Sequence, residues 1–178
     1  MLALRFDVND AQLRESFLRE SLPLALEGLT ETSARLWGEM SPHQMVEHLR
    51  WVFELSTGRE LITCPVPTVK QEYLRQFLYT NEPARRDFRN PVLTSGLPPL
   101  QHANLTEAKE DLLRESDRFL AAPRTSGERH VHPLFGPLDY DQWHRAHYKH
   151  IHHHLVQFGL IESAARPPSG DQRRVDHL

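Results

Sequence analysis

The run Trp143-His144-Arg145-Ala146-His147-Tyr148-Lys149-His150-Ile151-His152-His153-His154-Leu155 holds six of the chain's 12 histidines. Imidazole is the commonest metal ligand and a natural proton carrier near neutral pH. Read as a helix at about 100° per residue, the run puts Trp143, His147, His150, His154 and Phe158 on one stripe. His144, His152 and His153 point elsewhere and are expected to face solvent. A stripe that is apolar at its ends and imidazole in its middle predicts a metal site sunk into a helical bundle. His150 and His154 are i, i+4, roughly 6 Å apart along the axis. Both can therefore reach one ion at about 2.0–2.1 Å per bond. His147 and His150, at i, i+3, are a competing pair, so spacing alone leaves the register open by one turn.

In helical bundles, metal sites are made by side chains on facing helices. A third imidazole should then come from another helix, and His48 is the best candidate. Ser41, Gln44, Met45, His48, Val52 and Leu55 fall on one face. His48 thus sits inside an apolar stripe, where an imidazole needs a partner. His43 lies off that face near the helix start and is expected at the surface.

The elements that position these residues are helices with Pro-rich breaks. A first helix is predicted over 10–29, with Pro23 a kink or early break. Ser41-Pro42 is a start signal, with Ser as N-cap and Pro in the first turn; that helix should stop near Gly58. A shorter helix is predicted over 69–79. Residues 81–105 hold Pro83, Pro91, Pro98 and Pro99 and read as a long irregular excursion. Thr106 is the expected cap of a fourth helix, with Leu112, Leu113, Ser116, Phe119 and Leu120 inward and a solvated charged face over 107–118. A loop over 123–138 leads to Asp139, the expected N-cap of the His-rich helix, which ends at Gly159. No strand pair and no internal repeat is evident. The pattern of four or five helices predicts an all-α, up-down bundle over 1–163, with one crossover connection as an option, and a flexible tail over 164–178.

The bulk properties narrow the chemistry. At 178 residues one domain is the expectation. A formal charge of −3 with 25% charged residues leaves no basic footprint, which argues against a nucleic-acid partner. No apolar run approaches the roughly 20 residues of a membrane span. The N-terminus meets Asp7 and Asp10 at once and lacks a signal-peptide core, so a cytoplasmic location is expected. The single cysteine, Cys64, excludes an internal disulfide and a Cys-based zinc motif. Any metal site must be built from His and carboxylate. Nothing near Cys64 in sequence activates it as a nucleophile.

Two segments resemble a known family. Trp37-Gly38-Glu39-Met40-Ser41-Pro42-His43-Gln44-Met45-Val46-Glu47-His48-Leu49 resembles the opening motif of DinB/YfiT-like proteins, Trp-Gly-x-Met-Ser-x-x-Gln-Met-x-x-His, which leads to a first metal histidine. His132-Pro133-Leu134-Phe135-Gly136-Pro137-Leu138, then Trp143, then Lys149 through Gly159 resembles the closing motif. There, a His-x-x-x-His pair with a Gln three residues on supplies two further ligands. The resemblance implies His48, His150 and His154 as the ligands, and so selects between the two pairs that spacing left open. It implies a four-helix bundle of DinB/YfiT type over 1–163 and a divalent metal, zinc or nickel. Many relatives carry Arg-Gly before that Gln. Leu155-Val156 here places the chain nearer the DinB-like branch, whose substrates are mostly unassigned.

The implied function is that of a metal-dependent enzyme, either a hydrolase or a small-thiol S-transferase, with a small-molecule substrate, a low-molecular-weight thiol among the options. A homodimer is also an expectation from the resemblance. Three neutral imidazoles leave the ion its full charge and an open position. His147, one turn before His150, and His132, in the loop entering the helix, are the candidate proton acceptors. Gln44 and Gln157 are candidates to orient ligands or bound water. The alternative function is a non-catalytic metal- or ligand-binding bundle.

Overall fold

The computed structural model describes residues 2–86, 99–125 and 127–163. Over these the chain is mostly helical, with one pair of short strands. The first helical stretch has three parts: α1 (Ala11–Ser16), a π-helical turn (Phe17–Ser21) and α2 (Leu22–Glu27). Asp10 caps it by accepting from the Leu13 N–H. Pro23 has no N–H to return to the carbonyl four residues back. The chain widens beside it, and the Leu22 N–H donates to the Phe17 carbonyl. The expected kink is thus taken up as a wider turn.

α3 (Pro42–Ser56) starts where Ser41-Pro42 predicts. The Gln44 N–H donates to Ser41 Oγ at 3.1 Å, and the Ser41 N–H donates to Gln44 Oε1 at 2.9 Å. Such a cap contributes about 1 kcal/mol. Gly58, with φ +70°, follows its end. α4 (Thr68–Arg75) tightens into a 3-10 turn over Gln76–Tyr79. α5 (Leu105–Ala121) is capped by Asn104 and not by Thr106: Asn104 Oδ1 accepts from the Glu107 N–H at 2.9 Å. α6 (Tyr140–Gln157) begins at Asp139, in a second capping box with Gln142, and Gly159 takes φ +65° just past its end.

A loop alone was expected between α5 and α6. The structure has an antiparallel pair there, β1 (His130–His132) and β2 (Gly136–Leu138), with His130 opposite Leu138 and His132 opposite Gly136. Three-residue strands are too short to display period-two alternation. Gly136 has φ +70°, and a Cβ there would collide with the Gln71 side chain. The segment that leads into α6 is therefore anchored to α4.

The core joins Phe17, Leu18 and Leu22 with Met45, Leu49 and Phe53 of α3, Leu112 and Phe119 of α5, and Trp143, Ile151 and Leu155 of α6. α3 packs most extensively against α5 and also contacts α6. Leu2 pairs with Ile161, bringing the two ends of the described chain together. Among the described residues no helix is long and apolar enough to cross a membrane. The expected flexible tail over 164–178, and the 87–98 part of the Pro-rich excursion, lie outside the described residues.

Candidate metal centre

His48 comes from the middle of α3, and His150 and His154 from successive turns of α6. Their ring nitrogens meet. His48 Nε2 lies 3.0 Å from His150 Nε2, which lies 3.0 Å from His154 Nε2. One ligand atom from each of the three falls within 4.8 Å of the other two, so the group could hold a metal ion. The rings stand nearly edge to face, at 90° for His48–His150 and 72° for His150–His154. That aims nitrogens at a common point instead of stacking faces.

One amide fixes a tautomer. Gln157 Nε2 donates to the Trp37 carbonyl at 2.9 Å, so Oε1 is left as its acceptor. His154 Nδ1 sits 2.7 Å from that oxygen and must carry the proton. His154 Nε2 is then a bare lone pair facing His150. Burial pushes the pKa of His48 down to about 4, and holds His150 and His154 well below the ordinary value, helped by the charge of neighbouring histidines. All three are neutral at pH 7, the form that binds metal. Facing lone pairs repel unless a proton or a cation lies between them. A donor set of three neutral imidazoles without a carboxylate fits a borderline divalent ion.

The shell around the triad is aromatic. The Trp51 ring is 6.2 Å from His48, and His153 lies 5.1 Å from His154 and 5.6 Å from Trp37. Arg86 covers Trp37 at 4.4 Å. Gly38, with φ +79°, passes so close to α6 that a Cβ would fall 2.5 Å from Gln157 Nε2. The Leu36 N–H also donates to the Gln157 carbonyl, at 2.7 Å. The loop after α2 is thereby strapped to the C-terminal end of α6.

The remaining candidates are placed elsewhere. His147 lies outside the triad: its ring stacks on Phe53 at 3.9 Å and Trp143 at 5.4 Å, and Nε2 bonds Ser56 Oγ at 2.8 Å. Ser56 donates its one proton to the Phe53 carbonyl, so His147 Nε2 must be the donor to Ser56. Gln44 is engaged in the α3 capping box. His132 sits in β1, with Nδ1 accepting the backbone N–H groups of Leu134 and Phe135 at 3.0 and 3.3 Å. Burial pushes its pKa down to about 3.

Five surface expectations are corrected. His144 and His152 are only 4% and 3% exposed. His144 packs near Phe119 and Tyr140, and His152 against Phe6 at 4.5 Å. His43 is also buried, beside Glu47. His153 is half-buried, and a positive charge on it depresses the pKa of all three triad members. The charged face of α5 is not wholly solvated either: Glu115 is 2% exposed and ion-paired with Arg59.

The sequence reading also passed over Glu47, next to His48. Its Oε1 accepts from the Gln101 and His102 N–H groups at 3.0 and 2.8 Å and pairs with His102 Nδ1 at 2.9 Å. His102 Nε2 then meets Asp111 at 3.2 Å. This network ties the start of α5 to α3 beside the metal ligand. A buried carboxylate one residue from a histidine leaves no periodic signal. Two cavities, of about 560 and 430 Å3, flank the start of α6 beside Tyr140.

The model of one protein family, described as a protein of unknown function (DUF1569), matches residues 11–159. No curated protein and no solved structure matches the chain.

Proposed function

The chain belongs to the DUF1569 family, and we propose that it is a divalent-metal-dependent enzyme built as a DinB/YfiT-like four-helix bundle, with His48, His150 and His154 as ligands of zinc or nickel. The observation that carries this reading is the meeting of three Nε2 atoms from two helices, with Gln157 setting the His154 tautomer. A divalent ion held by three neutral imidazoles supplies Lewis acidity at an open position, which suits hydrolysis or transfer of a small thiol. The protein's own part is to hold three ligands neutral by burial and to wall the site with Trp37, Trp51 and His153. Its substrate is a small molecule, and its setting the cytoplasm.

A second reading has an observation in its favour. His48 joins α3 to His150 and His154 of α6, and this link between helices suits an ion that staples the bundle without catalysis. Protein purified without a tag or added metal separates the two. Elemental analysis should find a stoichiometric divalent ion, and His154→Ala should lose it while circular dichroism keeps most of the helix. Full metal loading in His154→Ala would refute the ligand set. Chelation should lower the melting temperature modestly if the ion is catalytic and drastically if it is a staple.

A further inference from the structure

Among the described residues, three side-chain atoms that are buried without a hydrogen-bond partner belong to neighbours: Arg14 Nε, Tyr140 Oη and His144 Nε2. All three residues line the cavity of about 560 Å3 beside the start of α6, a volume suited to a small ligand. Buried polar groups without partners are uncommon and costly. Three around one cavity call for a common cause, and the charges supply it. Arg14, Arg124 and Arg129 line the cavity with Glu15, Asp139 and Asp141. Those carboxylates are already held. Glu15 accepts from Arg19 at 2.9 Å, and Asp141 from Arg14 at 2.5 Å and Arg145 at 2.7 Å. Asp139 accepts the Gln142 N–H at 2.9 Å and lies 3.8 Å from Arg129. The lining residues and their ion-pair partners thus set five guanidiniums against three carboxylates. Burial pushes the pKa of His144 down to about 4, so it adds no charge at pH 7. The Arg14 side chain is 2% exposed while its partner Asp141 is 52% exposed, which leaves the buried charge incompletely matched. Arg124 is the least committed of the three. Its guanidinium carbon lies 4.8 Å from the centre of the Tyr140 ring, itself stacked on Phe119 at 4.8 Å. Among the described residues no carboxylate forms an ion pair with Arg124, which acts on Glu15 only at longer range. A guanidinium held on an aromatic ring keeps N–H groups for a two-oxygen anion.

We propose that this cavity binds a small molecule through an oxyanion, a carboxylate or a phosphate, which the Arg124 and Arg129 guanidiniums grip beside the buried charge of Arg14, with the Tyr140 hydroxyl as a further donor. The site needs no metal and goes beyond the metal reading above without resting on it. The anion offsets the surplus of positive charge and gives the unmatched Arg14 a second counter-charge. Arg124 decides affinity, because it is the cation with no other partner to leave.

Three probes with one ring test it. Benzoate and phenyl phosphate differ in the anion, and benzamide is the neutral counterpart of benzoate. Each is titrated calorimetrically into the full chain at constant ionic strength. At least one of the two anions should bind at a single site per chain, and benzamide should not. Which anion binds more tightly tells a carboxylate site from a phosphate site. Arg124 is exposed, so Arg124→Gln should melt as the wild type does, yet bind the anion about ten-fold more weakly, the loss expected for a hydrogen bond to a charged group. Tyr140→Phe keeps the ring under Arg124 and should weaken binding by a smaller factor; an unchanged affinity there would strike the hydroxyl from the site. Anion binding that survives Arg124→Gln undiminished would lie elsewhere, at the metal centre for instance, and would overturn the proposal. So would benzamide binding as well as benzoate, or neither anion binding at millimolar concentration. None of these results bears on metal content, so the ligand set of His48, His150 and His154 stands or falls separately.

Discussion

Gln157 joins three things through one amide group. Its N–H holds the Trp37 carbonyl, its oxygen holds the His154 Nδ1–H, and the second bond points the His154 lone pair at the other ligands. Partners of this kind fix ring orientation and raise ligand basicity, and losing one lowers metal affinity by about 10–100-fold. Gln157→Leu should show a loss in that range in competition with a chromogenic chelator. Gln157→Glu keeps an acceptor for His154 and drops the donor to Trp37, so it should retain most of the affinity. Equal weakening by both substitutions would mean that the strap to Trp37, and not the tautomer, sets the affinity. His48 has no comparable support: its Nδ1 is buried without a hydrogen-bond partner among the described residues.

At the level of elements, the strap and the ligand helix are one mechanical unit. Gly38 runs at φ +79° with no room for a Cβ against Gln157. Gly38→Ala adds backbone strain of about 1–2 kcal/mol and drives Gln157 off its partners. Melting temperature and metal affinity should fall together. In the double variant with Gln157→Leu, the affinity losses should not add; additive losses would show that Gly38 acts through another route. The parts legible in the sequence were those governed by local chemistry. Ser41, Asp139, Gly58 and Gly159 bound their helices as caps and glycines do, and His48 sat on an apolar face. The π-helical turn was hidden because Pro23 signals a break without saying how the backbone absorbs it. His144 and His152 were misplaced for a more general reason. Helical spacing sorts residues by face, and a face counts as solvent only if nothing covers it. Phe6 of the N-terminal segment covers His152, Phe119 of α5 flanks His144, and α3 brings His48 to a third side. A helix enclosed this way reads as polar and is nonetheless core. His43 was hidden likewise, beneath a buried network that only the folded chain assembles from Glu47, His102 and Asp111.

For the molecule as a whole, a core containing this many neutral imidazoles sets a limit on the acid side. Burial holds His48, His144 and His152 at pKa values of about 4 and His132 at about 3, against an ordinary value of 6.5. These folded-state values lie below the unfolded ones, so as pH falls below 6.5 the unfolded chain takes up protons that the native state refuses. Stability is complete above 6.5 and drains away as pH falls toward 4. Each such group costs about 1.4 kcal/mol per pH unit in that window. Four together exceed the total stability of a typical domain, about 5–15 kcal/mol, within a few pH units. Metal-free protein should therefore show a melting temperature that falls steeply below about pH 6, with acid unfolding complete by about pH 4. His152→Leu tests the cause. It removes one titrating ring and a buried Nε2 that lacks a partner, and it leaves the apolar contact with Phe6 available. The acid midpoint should move to lower pH, and the slope of stability against pH should fall by about one proton. A wild-type melting temperature that stays flat from pH 7 to pH 4 would show that the histidines titrate normally, and so that they are not sealed in the core.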